Sequence, residues 1–130
     1  MKSIVVCGSK KYKEDIKRFC NKLRKFGVFV FEPNIQQPVS EDSFFHSDHI
    51  TKAVFKGFTL EHFDWIRKAD VCFIFNKDNY VGTSVTLEMG YASALSKPIF
   101  ALNAETGDPC RDSLIDKEVK TFNELLSFLQ

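Results

Sequence analysis

Glu88 stands where a carboxylate is costly. It belongs to GTSVTLEMGYA, residues 82–92, which reads as the opening of a helix after the apolar run VCFIF at 71–75. At about 100° per residue, Val85, Leu87, Met89, Tyr91, Ala92 and Leu95 sweep one broad arc. Glu88 falls inside that arc, flanked by Ala92 and Leu95. A capping box would need Ser or Thr three residues earlier, and Val85 is there instead. Charge placement near a helix N-terminus explains a surface glutamate but not one on an apolar face. A buried carboxylate is expensive unless it is paired or hydrogen-bonded, so a chemical role is the better reading.

Two helix mouths frame that carboxylate. Gly82, Thr83 and Ser84 offer free backbone N–H groups and two hydroxyls, an arrangement suited to a phosphate or sugar oxygen. Either hydroxyl could equally be a simple N-cap. Gly8-Ser9-Lys10-Lys11 forms a second mouth after the first strand, with an ordinary strand-to-helix turn as its plain alternative. Together they favour an anionic or polyhydroxy ligand.

The remaining titratable groups are weaker signals. His62 shares a helical stripe with Val54, Phe58 and Ile66, where a satisfied core histidine is common. Asp78, in the loop after VCFIF, is placed to reach a ligand, whereas Asp70 precedes that strand and reads as structural. His46 and His49 flank Asp48 without a third clear ligand, so no metal site is expected. The four cysteines, Cys7, Cys20, Cys72 and Cys110, show no CxxC spacing and read as free thiols of a reducing cytoplasm.

The elements that must position these groups follow from periodicity. Strands are expected at 3–7, 28–33, 71–75 and 98–102, with an edge strand near 117–120. Helices are expected at 12–27, 51–68 and from Gly82 onward, with an amphipathic helix at the end. The long polar stretch 34–50 carries Phe44 and Phe45 as its apolar exceptions. Alternation of short apolar strands with amphipathic helices predicts a single α/β domain, Rossmann-like in the flavodoxin-like order, with a parallel sheet of four to five strands and helices on both faces. In such sheets ligands bind at the carboxyl ends of the strands, which here carry Gly8-Ser9-Lys10, Glu32-Pro33-Asn34, Asn76-Lys77-Asp78 and Asn103.

Composition excludes several classes. A net charge of +1, and basic residues gathered on one solvated helix face without interleaved aromatics, give no nucleic-acid platform. Apolar runs fall far short of the ~18 residues of a membrane span, and MKSIVVCGSK runs straight into a strand without signal-peptide architecture. Neither the GxGxxG fingerprint nor a P-loop follows the first strand, so no cofactor is expected.

ADVCFIFNKDNYVGTSVTLEMGYASALSKPIFAL at 69–102, joined to IVVCGS at 4–9, resembles the nucleoside 2-deoxyribosyltransferase family and its relatives, the 2′-deoxynucleoside 5′-phosphate N-hydrolases. The resemblance is most specific at Glu-x-Gly-Tyr-Ala and at the Lys-Pro before the next strand. It implies that Glu88 is a nucleophile attacking the anomeric carbon, giving a glycosyl-enzyme intermediate resolved by water or a second base. It also implies a homodimer or larger assembly, for which Phe44 and Phe45 could be interface or lid residues.

Two departures stand out. Ser84 and Thr86 occupy positions where the family usually has glycine, and a serine there suits a phosphate, favouring a 5′-nucleotide. The helical aspartate of the transferases is replaced by His62, so hydrolysis is favoured over transfer, and the proton donor is either His62 or Asp78. The expected function is N-glycosidic cleavage of a nucleoside or nucleoside 5′-monophosphate. The alternatives are a non-catalytic nucleotide-binding sensor on the same scaffold, or an enzyme cleaving a dinucleotide such as NAD.

Overall fold

The computed structural model describes residues 1–35 and 48–130, so His46, Phe44 and Phe45 lie outside the described residues. Strands β1 (Ile4–Gly8), β2 (Val30–Phe31), β3 (Val71–Phe75), β4 (Ile99–Ala101) and β5 (Lys117–Glu118) form one sheet in the order β2-β1-β3-β4-β5. Every neighbouring pair is parallel, which is the flavodoxin-like arrangement expected. The order reverses direction between β1 and β3, and a crevice opens there at the strand ends.

Side chains alternate across each strand, and that alternation builds two cores. Ile4, Val6 and Phe73 face helices α1 (Lys13–Lys25) and α5 (Phe122–Leu129), through Ile16, Cys20, Leu23, Leu125 and Leu129. Val5, Cys7, Cys72 and Ile74 face α2 (Asp48–Lys68) and α3 (Thr83–Ala94), through Ile66, Val85, Met89 and Ala92. A further short helix, α4 (Pro109–Asp112), stands between β4 and β5, where the sequence periodicity predicts none. Asp108 caps it by accepting from the N–H groups of Cys110 at 2.8 Å and Arg111 at 3.1 Å, and Pro109 begins it without needing a donor. Among the described residues no helix is long and apolar enough to cross a membrane.

The crevice ends of β3 and β4 are tied together by two asparagines. Asn76 Nδ2 donates to the Asn103 carbonyl at 2.7 Å, and the Asn103 N–H donates back to Asn76 Oδ1 at 3.0 Å. Asn103 Nδ2 donates to the Asn76 carbonyl at 2.8 Å. Asn76 is fully buried, and this exchange satisfies its amide.

Candidate active site

Two helices carry the groups singled out by the sequence. The α2 stripe of Val54, Phe58, His62 and Ile66 turns inward, becoming fully buried toward its C-terminal end. On α3 the stripe facing the sheet is narrower than the sequence arc, comprising Val85, Met89 and Ala92, while Leu87 and Leu95 are exposed. Glu88 lies at the edge of that stripe, turned toward α2. The helices are clasped beyond the site by Phe63 and Tyr91, whose rings stack at 4.4 Å with 4° between planes. Arg67 Nη1 donates to the Tyr91 hydroxyl at 2.9 Å, while its Nη2 donates to Asp64 at 2.7 Å.

The clasp holds His62 against Glu88. Nε2 of His62 lies 2.9 Å from Oε2 of Glu88, with side-chain exposures of 9% and 12%. That approach meets the distance of an ion pair but not the N–H direction of a hydrogen bond, so among the described residues the buried Oε2 has no aligned donor. From β1 below, the Cys7 sulfur approaches the same Nε2 at 3.2 Å and the Cys72 sulfur at 3.6 Å. The contact with Cys72, burial and the negative charge of Glu88 hold the Cys7 thiol well above its ordinary pKa, so it stays protonated. Trp65 meets His62 edge-on, 5.7 Å between ring centres, and closes one side.

Above this cluster lies a cavity of about 630 Å³. Its volume falls within the range typical of small-molecule sites. Gly8, Ser9, Lys10, Gly82, Thr83, Ser84, His62 and Glu88 all line it, so both helix mouths and the carboxylate share one space. The mouth of α3 is open. Gly82 is the N-cap, no side chain among the described residues caps the helix, and its first turn holds no acidic residue. Neither Thr83 nor Ser84 is the cap, and Thr86 instead donates its hydroxyl back to the Gly82 carbonyl at 2.8 Å. At the other mouth, Ser9 Oγ accepts from the Lys11 N–H at 3.2 Å, capping a tight turn at Lys10–Tyr12 that precedes α1.

Asp78 and Asn103 stand outside the cavity lining. The turn carrying Asp78 curls toward α1, with Asp78 and Asn79 at φ values of 55° and 63°. There Asp78 accepts from the Tyr12 hydroxyl at 3.4 Å, and Lys77 pairs with Asp15 at 3.0 Å. Asn103 is occupied by Asn76 and by Lys120, whose Nζ donates to Oδ1 at 2.6 Å. Cavity walls that sequence reasoning did not single out are Phe58, Trp65, Tyr80 and Thr59, and the floor contact of Cys7 was also missed. Phe58 and Trp65 flank His62 at helical spacing. The Val5/Cys7 alternation in β1 was the signal for the thiol.

Comparison with known proteins bears on the family and the fold. A family model described as nucleoside 2-deoxyribosyltransferase matches residues 6–125. A 2-deoxyribosyltransferase from the psychrotolerant bacterium Bacillus psychrosaccharolyticus is similar in structure, with a TM-score of 0.65 and 26% identity over 95% of this chain and 89% of that one. A conserved protein from Enterococcus faecalis V583 shares the fold at 12% identity, with a TM-score of 0.58 over 98% of this chain and 96% of its own. No curated protein sequence matches the chain.

Proposed function

This chain belongs to the nucleoside 2-deoxyribosyltransferase family, and from that premise we propose that it cleaves the N-glycosidic bond of a nucleoside or 2′-deoxynucleoside 5′-monophosphate, by hydrolysis rather than transfer, with Glu88 as nucleophile. The observation that carries the reading is the Glu88 carboxylate, which lines the cavity while its Oε2 is buried without an aligned donor among the described residues. Such a carboxylate is poorly solvated and stands beside the space in which an electrophilic carbon would sit. Attack of the Glu88 carboxylate on the anomeric carbon forms a glycosyl ester as the carbon–nitrogen bond breaks and its electron pair leaves with the base. Water then adds to the same carbon and releases Glu88.

His62 touches the attacking carboxylate itself. In an in-line displacement the departing nitrogen lies beyond the anomeric carbon, on the side away from the nucleophile. His62 is therefore suited to hold Glu88 in place, and the base takes its proton from water entering the cavity. The two mouths take the 5′ end. Unpaired N–H groups at the start of α3, the hydroxyls of Thr83 and Ser84, and Lys10 across the crevice favour a phosphate. Phe58, Trp65 and Tyr80 supply flat apolar surface for the base. The family's assembly into homodimers or larger oligomers is carried over with this reading, as is a cytoplasmic location for the reduced thiols.

The test is chromatographic detection of free base from nucleosides, their 5′-monophosphates and NAD, with wild type and Glu88→Gln side by side. Monophosphates are expected to release base, Glu88→Gln to release none, and a second free base to leave the rate unchanged. Accumulation of a new nucleoside with the second base would replace hydrolysis by transfer. No release from any substrate, with nucleotides still raising the melting temperature, would replace the enzyme by a sensor.

A further inference from the structure

Cys7, His62 and Glu88 come from three separate elements, yet Sγ, Nε2 and a carboxylate oxygen all lie within 4.8 Å of one another. We propose that these three side chains form a binding site for a borderline-soft divalent cation of the Zn²⁺ type, and that occupancy blocks the active site by taking up the Glu88 carboxylate. A thiol, an imidazole and a carboxylate form a donor set that favours zinc-like ions over Mg²⁺ or Ca²⁺, which prefer all-oxygen shells.

The geometry is close to what such an ion needs. Zinc bonds of about 2.0–2.3 Å at tetrahedral angles hold their ligand atoms roughly 3.4–3.6 Å apart. The Sγ–Nε2 and Nε2–Oε2 distances are 3.2 and 2.9 Å and the sulfur and carboxylate lie within 4.8 Å, so an ion enters if the two short pairs open by a few tenths of an ångström and the third settles to the same spacing. Among the described residues Glu88 Oε2 is buried without an aligned donor, and coordination would satisfy it. The entry path is the cavity, which His62 and Glu88 line, and a cavity water fills the fourth position. On binding, the ion sheds water, the Cys7 S–H proton passes to bulk solvent, and a metal–thiolate bond forms. Coordination neutralises the charge of the carboxylate and lowers its nucleophilicity, so attack on carbon is suppressed.

Binding is independent of the catalytic reading, whereas inhibition rests on it, so the two are measured separately. Chelator-treated protein carrying Cys110→Ser, which removes the exposed thiol, is titrated with Co²⁺ in the absence of substrate. The expected result is a thiolate-to-cobalt charge-transfer band saturating at one equivalent, displaced by Zn²⁺, and abolished by Cys7→Ser. Glu88→Gln should keep the band and weaken binding at least tenfold. No band, or a band that persists in Cys7→Ser, overturns the site. If Cys7→Ser does not fold, the Glu88→Gln titration decides alone, and unchanged affinity there overturns the proposal. Base release is then compared with and without Zn²⁺ within each protein, expecting at least tenfold inhibition in the parent. Metal binding without any base release in metal-free buffer would instead sink the glycosidase reading and leave the site standing.

Discussion

Replacing Asn76 with alanine should cost about 2–4 kcal/mol of folding stability. The substitution removes two hydrogen bonds, from Nδ2 to the Asn103 carbonyl at 2.7 Å and from the Asn103 N–H to Oδ1 at 3.0 Å. Each backbone group left without a partner costs about 1–3 kcal/mol when buried, and the half-buried Asn103 recovers part of this from water. At roughly 2.1 cal/mol/K per residue, unfolding this chain carries an entropy near 0.27 kcal/mol/K, so the melting temperature should fall by about 7–15 °C. Asn103→Ala provides the internal control. It removes the Nδ2 bond to the Asn76 carbonyl, but that carbonyl still accepts from the Asn79 N–H at 3.0 Å. The exposed Lys120 ammonium, which loses its bond to Oδ1, returns to water, so the cost should be near 1 kcal/mol. Urea unfolding followed by circular dichroism measures both, with the slope of free energy against urea expected to stay constant. A loss below about 1 kcal/mol for Asn76→Ala, or equal losses for the two variants, would refute the asymmetry.

Four further outcomes are expected. A Cβ at Gly8 would lie 2.5 Å from Ile16 Cδ1 and 3.4 Å from the Phe75 carbonyl, so Gly8→Ala should destabilise by about 1–3 kcal/mol in the same urea assay. Ser84→Asp adds an anion to the open first turn of α3, where attraction to the helix N-terminus and repulsion from Glu88 one turn on largely cancel, so stability should change by less than about 0.5 kcal/mol. The same change should cut kcat/KM for a 5′-monophosphate at least tenfold relative to the free nucleoside. Asp70 accepts from the Ser3 N–H at 2.8 Å and its hydroxyl at 3.0 Å, which lowers the carboxyl pKa below its ordinary value. Because the folded pKa is the lower one, this stabilisation is complete above the unfolded value of about 3.9 and is lost as pH falls through the folded pKa. Asp70→Asn should flatten that acid limb of the urea midpoint. In metal-free buffer a thiol reagent should modify exposed Cys110 rapidly while Cys7 and Cys20, the latter's pKa pushed up to about 12 mainly by burial, react only on unfolding.

Much of the architecture was legible because period and position carry it. Alternation in IVVCG assigns Ile4 and Val6 to one core and Val5 and Cys7 to the other, and the structure keeps that assignment. The short helix at Pro109–Asp112 was not legible as a period, since four residues are barely one turn, although the Asp-Pro pair that starts it was visible. On α3 the apolar arc over-counted. Periodicity gives an angle around a helix but not the width of the surface it meets, and Leu87 and Leu95 stay exposed. Glu88 meets His62 of α2 at the edge of the buried stripe, so the inward-turned carboxylate was read from sequence while its imidazole neighbour was only one of two candidates. Asp78 and Asn103 occupy strand ends, as the crevice rule predicts, yet left-handed turns and side-chain pairing direct them elsewhere. The approach of Cys7 to His62 spans 55 residues of chain, and no local spacing encodes it.

The stacked pair Phe63–Tyr91 has a consequence for engineering. It fixes α2 to α3 one helical step from His62 and Glu88, so the separation of imidazole and carboxylate belongs to two helices bolted to each other, not to the loops around them. Loop transplants at Pro33–Asn34 or Tyr80–Gly82 should then redraw substrate range while leaving the reactive spacing alone. Laboratory evolution toward new bases can be aimed at those segments, with α2 and α3 carried over as one interchangeable cassette.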